Sequence, residues 1–526
     1  MSAAARFELD AGVHVRDGGC LLVGGTPPRL VRLSETGARA LDAILAATGP
    51  EQAVVAEQPT DPDHRGRPLA PTTGQRTTAV GAGGAAEGRA AAALARRLER
   101  GGLLHPLPGD GADDPPVTTI VPVLDGGEHL AGLVATLVAE GPVIVVDDGS
   151  RDGSGARAEA AGARVLRHSS SRGPAAARNA GLAVAETALV AFLDADCEVA
   201  PGWRRGLAGL LAADPDLALV APRVRSLPNG ELGPPEPDNT LRVAGRPDRR
   251  LGRPEPGGGL GAGPRRASGL ARYEEVASPL DLGQAASLVG PERRVTYLPA
   301  AALLGRRDVL LAQGGFDEAM RFGEDVDLVW RFGAAGYRVR YAPSRAVAHR
   351  PRPDLAAFAR QRAGYGSSAV ELVRRHGSAA APLRPGRHSA AIWTAGALLG
   401  PRALLPALAA STAIVASRGS ERRSREALAE LALRGQAGAA AHLARVALRE
   451  WLPLTLAAAP FSRRARGALL AAFLADAAPL WRRTERPGEL PRATALHLLD
   501  RSAYAAGMWR EMARRRDFRA LLPRLV

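Results

Sequence analysis

Two pairs of aspartates follow apolar runs of this sequence, where their carboxylates can meet a ligand. Asp147 and Asp148 follow the run PVIVV, and Asp194 and Asp196 close the run ALVAFLDAD. Ligands of open α/β sheets bind beyond the carboxyl ends of the strands, so both pairs are expected at one crevice. The first pair can hydrogen-bond ribose hydroxyls and a base N–H. Strand alternation places Asp194 and Asp196 on one side of the chain, where both can reach one divalent cation.

A third acidic group precedes a helix-like segment further along the chain. Glu324 and Asp325 stand before a segment that carries Asp327 and Arg331 at helical spacing. Carboxylates at a helix N-terminus are favoured by the helix dipole, which is the structural alternative. Three carboxylates and an arginine around one apolar helix are nevertheless denser than capping requires. Downstream, His349 ends a strand-like segment, and a neutral imidazole is a common metal ligand.

The cationic side chains available to an anionic ligand are all arginines. The 69 basic residues include no lysine, which excludes a Walker A loop, a lysine Schiff base and a protein-kinase site. Arg172 and Arg178 lie between the two aspartate pairs, in a Gly-Pro turn and at the start of a helix. A guanidinium makes bidentate contacts with a diphosphate. A solvated helix face is the alternative that these residues leave open.

Alternating strands and helices must position these side chains. Apolar runs of five to seven residues alternate with helical segments over 117–355, which predicts an α/β domain with a parallel sheet and helices on both faces. A Gly-, Asp- and Pro-rich linker is expected at 109–116. A Gly-, Pro- and Arg-rich stretch at 226–270 is expected to form a mobile loop within the domain.

The front of the chain has a different pattern. Residues 1–108 contain strand-like pieces at 7–15 and 20–23, a helix at 34–46 and a terminal helix, which together predict a small winged-helix-like module. The stretch 49–90 has no periodicity and is expected to be a disordered insertion.

The tail, 356–526, contains Ala, Leu and Arg at helical spacing. Arg402 and two prolines interrupt its most apolar part, so helices at a membrane interface and ordinary packing of alanine-rich helices both stay open. The net charge of +15 suits a membrane surface or anionic ligands, and the bias toward Ala, Arg, Gly and Pro means that this charge is no evidence for nucleic-acid binding, so no nucleic-acid partner is expected. Cys20 and Cys197 and the lack of a signal-peptide core predict a cytoplasmic protein, with contact to the inner face of the cell membrane if the helices lie at an interface.

The motifs of the α/β domain occur in a familiar order. The segments VTTIVPVL, VVDDGS, GPAAARNAGL, FLDADC and GEDVDLVWR resemble the inverting family 2 glycosyltransferases of GT-A fold. The resemblance implies that Asp148 and the strand of Pro122 contact the donor nucleoside. It implies that Asp194 and Asp196 orient the ribose and a metal-bound diphosphate, and that Asp325 is the general base.

One departure from the family stands after the first strand, where Asp125 replaces the usual asparagine and leaves the nucleotide contact at that position open. One-step displacement inverts the anomeric carbon, so an α-linked donor would give a β-glycoside. The residues assigned to the site are Asp325 and Glu324 for catalysis; Pro122, Asp147, Asp148, Arg172, Arg178, Asp194 and Arg331 for the nucleotide-sugar donor; and Asp196, Asp194 and His349 for a magnesium or manganese ion.

A closer resemblance extends outside the α/β domain. The segments LLVGGTPPRLVRLSETGARALDAIL and LARRLERGGLLHP and the Arg/Ala-rich tail are similar to the mycofactocin glycosyltransferases of actinobacteria. This similarity implies transfer of glucose from UDP-glucose to the peptide-derived redox cofactor mycofactocin, with a β-1,4-linked oligosaccharide as product. The front module is also similar to the winged-helix peptide-recognition domains of ribosomal-peptide maturation.

Two other functions stay open. A family 2 enzyme with a polyprenyl phosphate or cell-wall glycan acceptor would hold its helical tail in the membrane. A winged-helix regulator that binds nucleic acid, with an inactive sugar-nucleotide module, would need a basic face in its front module. Few arginines cluster there outside 96–100, which argues against duplex recognition.

Overall fold

The structure, a computed structural model, divides into two compact units after Leu107. It describes residues 6–25, 29–46, 83–109, 114–226, 268–418, 422–484 and 486–524. Most of the expected insertion at 49–90 and of the expected mobile loop at 226–270 therefore lies outside the described residues, as does the middle of the expected linker.

The first unit combines two small sheets with two helices. Its elements are β1 (Phe7–Leu9), β2 (His14–Arg16), β3 (Leu21–Gly24), β4 (Arg29–Arg32), α1 (Glu35–Ala46), α2 (Gly83–Arg100) and β5 (Leu104–Pro106). The strands β2, β3 and β4 form an antiparallel sheet, and β1 pairs with β5. Ser34 caps α1, because its Oγ accepts the Gly37 N–H at 3.1 Å. The likeness to a winged helix stays a prediction.

The helix α2 begins at Gly83 and so takes in 83–90, which sequence analysis assigned to the insertion. The run of alanines that starts at Ala90 favours helix over coil, and the helix extends back from it to Gly83. Leu41, Leu98 and Leu104 lie buried between the helices and the strands.

The second unit is built on a mixed sheet. Its strands are β6 (Val117–Val123), β7 (Val143–Asp147), β8 (Arg164–Arg167), β9 (Leu189–Leu193), β10 (Cys197–Glu198), β11 (Leu217–Ser226), β12 (Ser287–Leu288), β13 (Ala302–Arg306) and β14 (Arg338–His349). The spatial order is β10-β14-β11-β13-β9-β6-β7-β8, and β12 pairs with β14.

The prediction of a parallel sheet is confirmed for β6, β7, β8 and β9 and for the pair of β11 and β14, and it is wrong for β10, β12 and β13, which pair antiparallel with their neighbours. The strands β6, β7, β8 and β9 are parallel, whereas β13 runs antiparallel to both β9 and β11. Helices cover both faces of this sheet, so every central strand is an apolar run whatever its direction. Hydrophobicity alone therefore could not reveal the reversal at β13.

Helices pack on both faces, as predicted. They are α3 (His129–Val138), α4 (Ser154–Ala160), α5 (Pro174–Val184), α6 (Leu207–Ala213), α7 (Gly269–Ala277), α8 (Arg307–Ala312) and α9 (Glu324–Ala334). One core layer contains the apolar side of α3 and α6, and the opposite layer contains that of α5, α8 and α9. Alternation along β9 divides its side chains between the layers, with Ala191 in the first and Phe192 in the second.

The tail is helical. Its helices are α10 (Leu355–His376), α11 (Arg387–Leu399), α12 (Pro401–Ala416), α13 (Arg422–Leu448), α14 (Leu452–Ala458), α15 (Arg463–Arg483) and α16 (Leu490–Arg515). In the part of the chain that the structure describes, none of the helices combines the length and apolar character needed to cross a membrane.

The helices α10 and α16 approach each other at two glycines. A Cβ placed at Gly507 would lie 1.9 Å from the carbonyl oxygen of Ala363, and one at Gly366 would lie 1.9 Å from that of Tyr504. Both obstacles are backbone atoms, which cannot rotate away. Only glycine permits this helix separation.

We expect Gly507→Ala to lower the free energy of unfolding by about 1–3 kcal/mol, because the added methyl must push the two helices apart. Gly435→Ala is the matched control: it also lies within a helix, α13, but its Cβ would meet nothing within 4 Å. That change should stabilise by about 1 kcal/mol through helix propensity. Thermal denaturation of both variants compares them. Equal effects would mean that α10 and α16 are not held at this distance.

Candidate functional site

The strand directions bring the acidic motifs to one edge of the sheet. The carboxyl ends of the parallel strands β6, β7 and β9 meet there, and β14, which is parallel to β11, ends on the same side. The start of the antiparallel strand β13 lies at this edge too, since the carbonyl of Ala301 accepts the Asp194 N–H at 3.0 Å. Asp148, Asp194 and His349 therefore follow strands that end together, as expected for an α/β crevice.

Asp147 forms the turn that ends β7. Its side chain is fully buried, and its Oδ1 accepts the Ser150 N–H at 2.7 Å. The Arg167 guanidinium lies 3.4 Å from its Oδ2. These contacts are those of a strand-ending turn, and a donor contact by Asp147 stays a prediction.

Asp148 holds a loop in place. Its carboxylate accepts hydrogen bonds from His168 Nδ1 and Ser171 Oγ, both at 2.7 Å, and from the backbone N–H groups of Arg172 and Gly173 at 2.8–3.1 Å. Burial opposes the charge of Asp148, but these hydrogen bonds prevail and lower its pKa below the usual value. An ionised aspartate thus anchors residues 168–173 at the crevice.

The first strand contributes Pro122 and the turn that follows it. Pro122 pairs in register with Val146 of β7 and is half-buried. Asp125 has a left-handed backbone, with φ 53°, which Asn and Asp tolerate better than most residues. Its Oδ1 accepts the Arg151 N–H at 2.8 Å, and its own N–H donates to Ser150 Oγ at 3.0 Å. The aspartate that departs from the family pattern therefore links the ends of β6 and β7.

Arg178 connects the second and third acidic groups. Its side chain is 4% exposed, and it donates from Nη2 to Asp194 Oδ1 at 2.7 Å and from Nη1 to Glu324 Oε1 at 2.9 Å. The guanidinium carbon also lies 5.3 Å from the centre of the Phe316 ring. Burial disfavours the charge, yet the two carboxylates raise the pKa of Arg178 above its usual value. Of the three arginines assigned to the donor, Arg178 is therefore the one that bridges two of the acidic groups.

Asp196 and His349 lie side by side. His349 pairs in register with Cys197, the residue after Asp196, and His349 Nε2 lies 3.3 Å from Asp196 Oδ1. Arg352 approaches the other oxygen of Asp196 at 3.3 Å. The carboxylate of Asp196 is about one-third exposed, whereas His349 is nearly buried.

This donor set fits a hard divalent ion bound together with a ligand. Two carboxylates and an imidazole are donors that magnesium and manganese accept, and magnesium in particular is often held by one or two carboxylates plus substrate phosphates. Among the described residues, no three His, Cys, Asp or Glu side chains converge closely enough to hold a metal alone. Asp194 and Asp196 would share such an ion with the oxygens of a diphosphate.

The third acidic group begins α9. The helix follows Gly323, whose φ of 78° turns the chain into it. Asp325 is half-buried, and its carboxylate accepts the N–H groups of Val326 at 2.8 Å and Ala300 at 3.3 Å. Burial and the adjacent charge of Glu324 raise the pKa of Asp325 to about 7, despite the nearby Arg178. A carboxylate with a pKa near neutrality is suited to accept a proton.

The other two arginines assigned to the donor lie in different surroundings. Arg172 is more than half exposed, and its guanidinium lies 3.2 Å from Glu318. Each guanidinium nitrogen of Arg331 donates within the protein: Nε pairs with buried Asp327 at 2.7 Å, and the two Nη atoms donate to backbone carbonyls at Gln313 and Gly315. Arg331 therefore braces α9 and the loop before it, and its contact with the donor stays a prediction.

Sequence reasoning missed two residues that touch the site. Arg352 contacts Asp196, and His168 contacts Asp148. Nothing in the sequence distinguishes Arg352 among so many arginines. His168 could have been found from the strand pattern, since it directly follows β8, whose carboxyl end lies at the crevice.

Comparison with known proteins identifies relatives of this chain. The sequence profile described as "Glycosyl transferase family 2" matches residues 118–264. The pre-mycofactocin glycosyltransferase of Mycobacterium tuberculosis is 37% identical over 452 residues, which are 82% of this chain and 87% of that protein. The N-acetylglucosaminyl-diphospho-decaprenol L-rhamnosyltransferase of the same species is 30% identical over 302 residues, 51% of this chain and 89% of that protein.

A solved structure, the mannosyltransferase PcManGT from Pyrobaculum calidifontis in complex with GDP-Man and Mn2+, covers 72% of this chain and 90% of its own, with 18% identity and a TM-score of 0.35. The family assignment depends on the sequence relatives. With a profile match over the first two acidic motifs and 37% identity over most of its length to a pre-mycofactocin glycosyltransferase, the chain belongs to the pre-mycofactocin glycosyltransferases of glycosyltransferase family 2.

Proposed function

We propose that this protein transfers glucose from UDP-glucose to the peptide-derived acceptor pre-mycofactocin with inversion, and extends the product as a β-1,4-linked oligosaccharide. The observation that supports transfer at this site is the bridge that buried Arg178 makes between Asp194 and Glu324. It links the acid next to the donor diphosphate with the acids next to the acceptor. Donor, acceptor and linkage come from the relationship to the pre-mycofactocin enzymes.

On the donor side, different residues bind the nucleoside and the diphosphate. Asp148 and the strand of Pro122 line the nucleoside, with Asp147 behind them. Asp194 and Asp196 would hold a magnesium or manganese ion together with the diphosphate, with His349 beside Asp196, and such an ion would neutralise the charge that develops on the leaving diphosphate. Exposed Arg172 is free to turn from Glu318 toward the diphosphate, because a surface ion pair is weak.

On the acceptor side, Asp325 takes the proton of the attacking hydroxyl. That oxygen forms a bond to the anomeric carbon on the face opposite the diphosphate, whose bond to the sugar breaks in the same step. Glu324 remains paired with Arg178 and keeps the pKa of Asp325 raised. The front unit is proposed to recognise the peptide part of the acceptor, in line with its similarity to peptide-recognition modules.

A second acceptor class has one relative in its favour. The rhamnosyltransferase of Mycobacterium tuberculosis is named for a decaprenol-linked acceptor and matches half of this chain. The relative with 37% identity extends over more of the chain. We therefore favour pre-mycofactocin, and glycan analysis of the product distinguishes the two.

We expect UDP-glucose with magnesium or manganese to raise the melting temperature of the wild type by about 5 °C at 100-fold excess over its Kd. Asp196→Asn should lose the part of this shift that depends on the metal. Asp308→Asn, which changes an exposed aspartate of α8, is the matched control and should behave as wild type. A wild-type protein that no nucleotide sugar stabilises would contradict the proposed function.

Removing the base should slow transfer strongly without changing the binding of the donor. We expect Asp325→Asn to reduce kcat about 10²–10⁴-fold, the usual contribution of a general base, with UDP-glucose binding unchanged. In the wild type, only the ionised carboxylate accepts a proton, so kcat/KM should fall about tenfold per pH unit below pH 7 and level off above it. Initial rates across pH measure both effects. Wild-type rates in the variant would remove Asp325 from this role.

The helical tail is proposed to lie against an anionic membrane surface. The stretch 387–526 holds 23 arginines and 10 acidic residues, so nearly all the excess positive charge of the chain is concentrated there. Large apolar side chains are exposed beside these arginines. In the segment from α14 to α15, Phe461 is 90% exposed, with Arg463 and Arg466 close behind it. Apolar side chains flanked by arginine suit a bilayer interface with acidic headgroups.

Binding to vesicles tests this surface. We expect sedimentation with vesicles that contain phosphatidylglycerol and little with phosphatidylcholine alone. Phe461→Ser combined with Leu456→Ser should weaken binding at least tenfold, because each side chain contributes about 1.5–3 kcal/mol on burial. Leu311→Ser is the control, because Leu311 lies on the exposed side of α8. If the double variant binds as the wild type does, or if vesicles are not bound and the protein self-associates instead, the surface is not a membrane contact.

A further inference from the structure

The helix α10 of the tail packs against the loop that leads into the catalytic acids. A Cβ placed at Gly364 would lie 2.4 Å from the Phe322 ring, and one at Gly323 would lie 2.9 Å from Ser368 Oγ. Phe322 and Gly323 directly precede Glu324 and Asp325 in the chain. Residues of α10 therefore contact the loop that leads into the proposed acceptor side of the site.

Tyr365 is the residue of α10 that this packing fixes most firmly. The Phe322 ring meets it edge to face, with centroids 6.1 Å apart and planes at 85°. The guanidinium carbon of Arg362, one turn earlier, lies 5.7 Å from the centre of the Tyr365 ring. Aromatic and cation–π contacts of this kind hold the ring in one orientation.

Arg362 is itself held rigidly. Its guanidinium is 3% exposed, donates to Glu274 at 3.0 Å and lies 3.4 Å from Asp500. Glu274 also accepts the backbone N–H of Arg352, the arginine that contacts Asp196. The position of the Tyr365 ring is thus fixed by buried charges that reach the proposed metal end of the site.

The Tyr365 hydroxyl differs from those of the other tyrosines around it. Tyr273, Tyr297 and Tyr341 donate to Asp500, the Pro279 carbonyl and the Gly283 carbonyl. The Tyr365 hydroxyl has no such acceptor among the residues that the structure describes. Burial raises its pKa, and the carboxylate of Asp325 adds to this against Arg362, so it remains a neutral donor where Asp325 is ionised.

We infer that Tyr365 binds the acceptor: its hydroxyl donates a hydrogen bond to an acceptor oxygen beside the hydroxyl that Asp325 deprotonates. Phe322 is 37% exposed next to it and offers an apolar ring face against which a sugar or another ring can pack. The ligand class is a hydroxylated ring compound. This inference rests on the proposed function, because it places the acceptor at Asp325.

The test is Tyr365→Phe, which keeps the ring contacts with Phe322 and Arg362 and removes only the hydroxyl. We expect the affinity for pre-mycofactocin, titrated calorimetrically in the presence of UDP, to fall about tenfold, as for one lost hydrogen bond in a buried site. In transfer assays the acceptor KM should rise while the UDP-glucose KM and the melting temperature stay unchanged. A merely structural role would not separate the two KM values.

Tyr341→Phe is the control, because its hydroxyl is engaged with Gly283 inside the protein. It should lower the melting temperature and leave acceptor affinity unchanged. Equal acceptor affinity in wild type and Tyr365→Phe, or a matching loss of UDP-glucose affinity, overturns the inference alone. A wild type that binds pre-mycofactocin through Tyr365 but transfers no glucose overturns the proposed function alone, and a wild type that does not bind it contradicts both.

Discussion

The buried guanidinium of Arg178 is the interaction on which the site depends. It pairs with the carboxylate of Asp194, which follows β9, and with that of Glu324, which begins α9. Removing the arginine would leave these two carboxylates without their cation beside Asp325, whose charge is already disfavoured. The sheet edge and the helix N-terminus are thereby held in one arrangement. Planar, forked arginine can make this bridge with two separate nitrogens, which the single ammonium of lysine does less well.

The absence of lysine therefore has a structural counterpart. Several arginines act as connectors within the second unit: Arg178 between two acids, Arg331 between an acid and two carbonyls, and Arg362 between two acids. Each of these arginines pairs through more than one nitrogen of its guanidinium. Composition alone could not distinguish these arginines from the exposed arginines of the tail. Only a buried guanidinium must pair with protein acceptors, because it has lost its contact with water.

Much of the site was predictable because it follows from strand ends. The apolar runs before Asp148 and Asp194 mark strands, and in a sheet of parallel strands their ends must meet. The length of the α9 pattern likewise fixed Glu324 and Asp325 at a helix N-terminus. The reversed direction of β13 was not predictable, because a strand covered on both faces has the same apolar pattern in either direction. Arg352 was missed because nothing distinguishes it among so many arginines, and Tyr365 was missed because the repetitive composition of the tail carries no motif.

The helix α10 has a consequence for where this enzyme can be divided. Composition changes near 355, and a boundary drawn there would separate a sugar-nucleotide domain from a helical tail. The helix α10, which packs against the loop before Asp325, then belongs to the piece removed, together with the glycine crossing that holds α10 close to α16. A shortened chain would retain the residues proposed to bind the donor and lose Tyr365, which is proposed to bind the acceptor. On this assignment, exchange of the tail within the family would alter which acceptor is glycosylated and leave the donor unchanged.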